Sequence, residues 1–237
     1  MSEEINKREK GLTRRDFMKT TGGAAAMAGL AGGGLLLSPR TTGASEMPEK
    51  WDEESDVLVI GSGFAGLAAA IEAKVAGASV TVIEKMPLAG GNSIINGGDF
   101  AAAGSKMQKD AGIEDSPELM LKDMLKAGAY LNHLEKARFV AEHSNNALEW
   151  CINYIGATFS GVGYHGGHSV KRAHHTSNGS GSEVVNKMLA KARDLGVNLQ
   201  TRTKLERLIK DKENRIVGVE VRKGYRFPDD NTGNAEY

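Results

Sequence analysis

The sequence predicts an α/β fold built on a parallel sheet, and three observations carry that reading. Residues 56–60, Asp-Val-Leu-Val-Ile, are an apolar run of the kind buried on both faces of such a sheet. Gly61-Ser62-Gly63-Phe64-Ala65-Gly66 follows at once and opens a helical stretch, residues 67–76, ended by Gly77. A second strand, residues 79–83, ends at Glu84.

Composition sets the frame. The chain has 237 residues, 30 Lys+Arg against 30 Asp+Glu, 40% hydrophobic and 25% charged residues, which is ordinary globular usage. Balanced charge gives no footprint for nucleic acid. The single cysteine, Cys151, excludes an intrachain disulfide framework, a Cys-rich zinc site, a Cys-ligated iron–sulfur cluster and covalent c-type haem.

Residues 1–44 read as an address. Thr13-Arg14-Arg15-Asp16-Phe17 precedes an apolar, glycine-rich stretch, residues 22–37, and then the small-residue site Thr42-Gly43-Ala44. This is a secretory pattern, and the paired arginines before Phe resemble the twin-arginine (Tat) signal, implying the Tat translocase and a periplasmic destination. A membrane anchor is disfavoured because the apolar run is short and full of glycine. Tat carries folded proteins, which suits a cofactor loaded before export. Residues 45–55, rich in Glu, read as a linker, and residues 56–237 as the folded domain, mildly acidic and soluble.

The order strand, G-x-G-x-x-G, helix, strand, acid is that of a Rossmann-like dinucleotide site. Gly61 allows the tight turn, Gly63 lets backbone approach a pyrophosphate on the helix N-terminus, and Gly66 lets helix and strand pack closely. Glu84 stands where ribose hydroxyls are accepted. Glu in place of Asp, and to a lesser degree Ala70, lean toward FAD. A second block, Gly90-Gly91-Asn92-Ser93-Ile94-Ile95-Asn96-Gly97-Gly98, is denser in glycine than an ordinary crossover and suggests backbone closing around a second large moiety.

The middle of the chain reads as scaffold. Ser116-Pro117-Glu118 starts a helix that stops at Gly128. Asn132 with Glu135 suggests a capping box for a helix running from His133 to Gly156, with Cys151 on its apolar face as a buried, inert thiol. Trp150 and Tyr154 read as packing groups. His165, His168, His174 and His175 crowd a glycine-rich loop, but no carboxylate lies between Ser160 and Ser182, so no metal is expected. Ser180 with Glu183 suggests a second capping box, opening a helix closed by Gly196. Strands at 198–210 and 215–222 then turn at Lys212-Glu213-Asn214.

Here the sequence resembles a known family. DVLVIGSGFAGLAAA, VTVIEK, GGNSIINGG, DSPELM and GGHSVKRAHHTSNGSG, spread over residues 56–224, are similar to the flavoprotein of soluble, flavocytochrome c-type fumarate reductases. These belong to the fumarate reductase/succinate dehydrogenase flavoprotein superfamily. The resemblance implies a Rossmann-like FAD-binding domain with a small β-hairpin or antiparallel element. It implies that Gly61, Gly63, Ala65 and Gly66 cradle the FAD pyrophosphate, and that Glu84 holds the ribose with Lys85 beside it. Asn92, Ser93, Gly97 and Gly98 would line the flavin, and Leu205 would lend backbone to the adenine. Some relatives attach FAD through a histidine in the 90–98 loop; this loop has none, so FAD is expected to be non-covalent.

The resemblance also implies hydride transfer from reduced FAD to a small unsaturated carboxylic acid. Without haem motifs, electrons would come from a separate periplasmic cytochrome or quinol-dehydrogenase partner. The family's substrate histidines and proton-donating arginine are expected beyond Tyr237, with the sheet incomplete at the C-terminus and the capping domain absent. No catalytic residue is therefore nominated. Relatives commonly carry His then Arg where this chain has His174-His175, and neither inherits a role. The alternative is a truncated, non-catalytic FAD- or nucleotide-binding fragment.

Overall fold

The computed structural model describes residues 47–227, all within the second of the chain's two contact units, Ala44–Tyr237. The signal segment lies outside the described residues. The first sheet is parallel, ordered β1–β2–β6: β1 (Val57–Ile60), β2 (Val80–Ile83) and β6 (Asn198–Gln200). Helix α1 (Phe64–Val75) crosses from β1 to β2. Its Ala70 packs on Val80 and Val82 of β2, while Leu67 and Ile71 pack on Val184, Val185 and Met188 of α5 (Ser182–Asp194).

β2 is the buried strand of this sheet; β1 is its edge, only half-buried, with Ile60 51% exposed. The apolar run at 56–60 predicts burial on both faces. The difference arises because β1 has no partner on its outer side among the described residues.

A second sheet, antiparallel and ordered β3–β5–β4, joins β3 (Asp99–Ala101), β5 (Ala173–Thr176) and β4 (Phe159–Gly163). Local sequence does not announce it, because β3 and β5 lie far apart in the chain. A buried ion-pair network fastens it. The Arg172 side chain is fully buried and forks onto Asp115 (2.7 and 2.9 Å) and Asp123 (2.6 Å). Asp115 precedes α3 (Pro117–Ala127) and Asp123 lies within it, so β5 is tied to that helix. α2 (Lys106–Asp110) carries the capping box Ser105/Gln108.

Both other capping boxes are corrected. α4 (Leu134–Glu149) has His133 at its N-cap without a side-chain bond. Asn132 instead packs so closely on Gly128 that a Cβ there would lie 2.0 Å from its Oδ1. α5 has Gly181 at its N-cap; Ser180 Oγ donates to Ile94 O, and Glu183 accepts from Thr158 N and Oγ1. The second box lost to tertiary bonds; in the first, Asn132 Oδ1 is buried without a hydrogen-bond partner. α4 ends in a π-helical turn, Trp150–Ile155, with Gly156 as its left-handed cap.

The strand expected over 198–210 is two strands. At Arg202 φ is +53°, and the chain leaves the parallel sheet for a hairpin of β7 (Thr203–Lys210) and β8 (Ile216–Lys223). Trp51 lies against Gly218 of β8, and Glu53 accepts from Gln200 and Lys223. No helix among the described residues is long and apolar enough to cross a membrane.

Candidate cofactor site

The site starts at the carboxyl ends of β1 and β2. Gly61 has φ +96°, a conformation L side chains resist, and its N–H donates to Ile83 O (2.8 Å). A Cβ on Gly66 would sit 1.9 Å from Gly61 O, so the helix can approach the strand only with glycine there. Gly63, the N-cap of α1, has no side chain to cap the helix, and beyond Phe64 the first-turn N–H groups at Ala65 and Gly66 face outward from the strand end. Free N–H groups and the positive end of the helix dipole therefore remain for an anion. Ala65 is exposed in that first turn.

Two hydroxyls join the fingerprint to the second glycine block. Ser62 Oγ accepts from Gly90 N (2.9 Å), and Ser93 Oγ accepts from Phe64 N (3.1 Å). Ser93 lies in a 3₁₀ turn, Gly91–Ser93, that also exposes Asn92. Gly97 is exposed and Gly98 buried where the chain enters β3.

Glu84 is buried, 6% exposed, and accepts from Ser62 Oγ (2.6 Å), Ser62 N (3.0 Å) and Met86 N (2.9 Å). Burial is the largest influence on its carboxyl and acts upward. The Ser62 hydroxyl, the two N–H groups and Lys85 together outweigh it and hold the pKa below the ordinary value. A carboxylate has about four lone-pair sites, so one acceptor position stays open after these three bonds. Lys85 beside it is exposed. Thr203 N donates to Glu84 O (2.9 Å), and half-buried Leu205 follows two residues later in β7.

A cavity of about 350 Å³ opens beside the start of α1, lined by Phe64, Ala65, Gly98, Asp99, Trp150 and Met188 among others. Its wall is mostly apolar. Trp150 donates from Nε1 to Glu72 (2.7 Å), and Cys151 also faces the cavity, its thiol pushed up to about 11 by burial. A hollow of about 430 Å³ between Met107, Tyr164 and Lys171 contains none of the dinucleotide residues.

The four loop histidines have different fates. His174 is fully buried: its Nε2 meets Ser105 Oγ (2.7 Å), its Nδ1 lies 3.0 Å from Phe100 O and Arg172 O, and burial lowers its pKa. His168 is half-buried, its pKa lowered first by burial. His165 and His175 both meet Asp99, at 2.6 and 2.5 Å. The loop itself, residues 161–181, holds no carboxylate. Asp99 arrives from β3, in register with His175. Its position after Gly98 gives no sign of that pairing.

The family described as FAD binding domain matches residues 56–235, and the twin-arginine translocation pathway signal sequence matches residues 11–31. The chain is 42% identical over 229 residues to the acrylate reductase flavoprotein subunit of Shewanella woodyi, covering 94% of this chain and 43% of that protein. It is 37% identical over 173 residues to a fumarate reductase (cytochrome) of Shewanella frigidimarina, covering 72% of this chain and 30% of that one. The open conformation of a flavocytochrome c3 fumarate reductase superposes with a TM-score of 0.71 at 31% identity, over 73% of this chain and 31% of that chain. The chain thus spans less than half the length of these relatives.

Proposed function

Because the chain belongs to the FAD binding domain family, with FAD as its cofactor and a Tat signal ahead of it, we propose that it is the cofactor-holding portion of an exported reductase acting on a small unsaturated carboxylic acid. The observation that carries this reading is the joint between the two glycine segments. Ser62 and Ser93 fasten residues 90–93 to the start of α1, with Glu84 buried beside them. The names of relatives, acrylate reductase and fumarate reductase, supply the substrate class.

Bound FAD supplies hydride chemistry; this chain's residues bind and orient it. The first-turn N–H groups of α1, at Ala65 and Gly66, meet pyrophosphate charge, with Gly61 and Gly63 allowing the approach. Glu84 offers its remaining acceptor position to a ribose hydroxyl, with Lys85 alongside. Asn92, Ser93, Gly97 and Gly98 line the flavin, and backbone at Leu205 borders the adenine. FAD is held without a covalent bond, since residues 90–98 contain no histidine. Residues 1–44 act as the signal, 45–55 as the linker and 56–237 as the cofactor domain. After export to the periplasm, a separate cytochrome or quinol dehydrogenase supplies electrons. No residue of this chain is assigned as proton donor.

A second reading, a nucleotide-binding fragment without turnover, is favoured by the outer edge of β1, unpartnered among the described residues, with its exposed Ile60. The test is anaerobic purification, from its source cells, of the exported protein that carries this sequence, followed by visible absorbance and photoreduction. Flavin that co-purifies and, once reduced, is reoxidised by acrylate or fumarate supports the reductase. Bound flavin that ignores every unsaturated acid supports the fragment. A colourless, folded protein contradicts the reductase.

A further inference from the structure

Asp99, His165 and His175 come from three segments: the first residue of β3, the loop after β4, and the middle of β5. Their ligand-type atoms, a carboxylate oxygen and two imidazole nitrogens, all lie within 4.8 Å of one another. Each Asp99 oxygen faces a different ring: Oδ2 meets His165 Nε2 and Oδ1 meets His175 Nδ1.

The fold builds this convergence. Register sets Asp99 directly opposite His175. The His175 ring packs on β4 at Gly163, where a Cβ would lie 2.3 Å from its Nε2, and its Nδ1 faces Asp99. The loop bearing His165 is closed at its base by Arg172 N donating to Gly163 O (3.1 Å) and within itself by His168 N donating to His165 O (3.1 Å). The buried Arg172 pairs anchor that base. The side chains of His165 and His175 remain 47% and 41% exposed, which leaves an entry path.

We propose that Asp99, His165 and His175 form a site for a divalent transition-metal ion of the zinc type. Two imidazoles and one carboxylate are a nitrogen–oxygen donor set suited to such an ion. Three protein ligands leave at least one position for water. Bond lengths of about 2.0–2.2 Å require the three donors only to part slightly around the ion. The site does not depend on the flavin reading; apart from Asp99, none of its ligands belongs to the cofactor residues or their cavity.

Zn²⁺ titration of the tag-free full chain, followed by calorimetry, tests it. Saturable binding at a single site is expected, weakened about tenfold or more in each of Asp99→Asn, His165→Ala and His175→Ala. A second measurement needs no variant: diethyl pyrocarbonate labelling of the wild-type chain, mapped by mass spectrometry with and without Zn²⁺. Zn²⁺ should protect His165 and His175, while exposed His133 and His143 react equally in both samples. Absence of saturable binding overturns the site. So does binding unchanged in folded variants, or equal labelling of His165 and His175 in both samples; the three side chains are then a hydrogen-bonded His–Asp–His chain.

Discussion

The β1–α1–β2 unit and the β3–β5–β4 sheet both bring polar groups to one place, by opposite means. In the first, every group lies within 33 residues, from Gly61 to Ser93, and the spacing follows from strand, turn and helix lengths. In the second, Asp99 meets His175, 76 residues away, through strand register, and His165, 66 residues away, through the loop after β4. Chemistry encoded by local spacing can be read as a motif. Chemistry encoded by register is visible only in the fold.

The largest predicted effect breaks the second region. Arg172→Ala strands Asp115 and Asp123 in the interior without their guanidinium, which should cost about 3–5 kcal/mol in urea unfolding. Zn²⁺ binding at the neighbouring histidines should fall with it. A loss below about 1 kcal/mol would mean the network is solvated and does not hold the sheet.

Gly66→Val attacks the first region. Its side chain must displace backbone at Gly61, which should cost about 1–3 kcal/mol in the same assay. Flavin should no longer co-purify, whereas Zn²⁺ binding should persist. Loss of both ligands together would show that the two regions are not separable.

Glu84→Gln sharpens the comparison through pH. Glu84 is held below the ordinary 4.5, so its folded-state contribution is complete above that value. It is lost as pH falls through the lowered value. Wild type should therefore lose stability on the acid side more steeply than Glu84→Gln, and the variant should retain less flavin at neutral pH. Identical acid limbs would contradict the assignment. The smallest effect is expected of Ser93→Ala, which removes one hydroxyl bond to Phe64 N and should cost about 1 kcal/mol. Flavin dissociation should quicken in this variant if the two glycine segments act as one cradle.

Legibility in the sequence follows the same division. Gly61, Gly63, Gly66 and Glu84 could be read because helix and strand lengths alone bring them to one end of the sheet. The helix stop at Gly128 and the cap at Ser116 were legible for the same local reason. The capping box at Ser180 failed because Ile94 offered its hydroxyl a tertiary partner, and that at Asn132 because its side chain packs on Gly128, four residues back, with Oδ1 buried and unbonded. The break at Arg202 was hidden because a positive φ at a non-glycine residue has no reliable sequence mark. Reading the histidines from their own loop alone suits His174, buried among Ser105 and two carbonyls. It misses Asp99, whose partners depend on a sheet that hydrophobic pattern does not announce.

The most direct test of the central claim is anaerobic reoxidation of the reduced flavin in the exported protein that carries this sequence, isolated from its source cells. Visible absorbance would be followed after adding acrylate, fumarate or another 2-enoic acid. The account predicts recovery of oxidised flavin stoichiometric with acid consumed, with the saturated acid as product. A protein that holds flavin but recovers oxidised flavin only in air would contradict it.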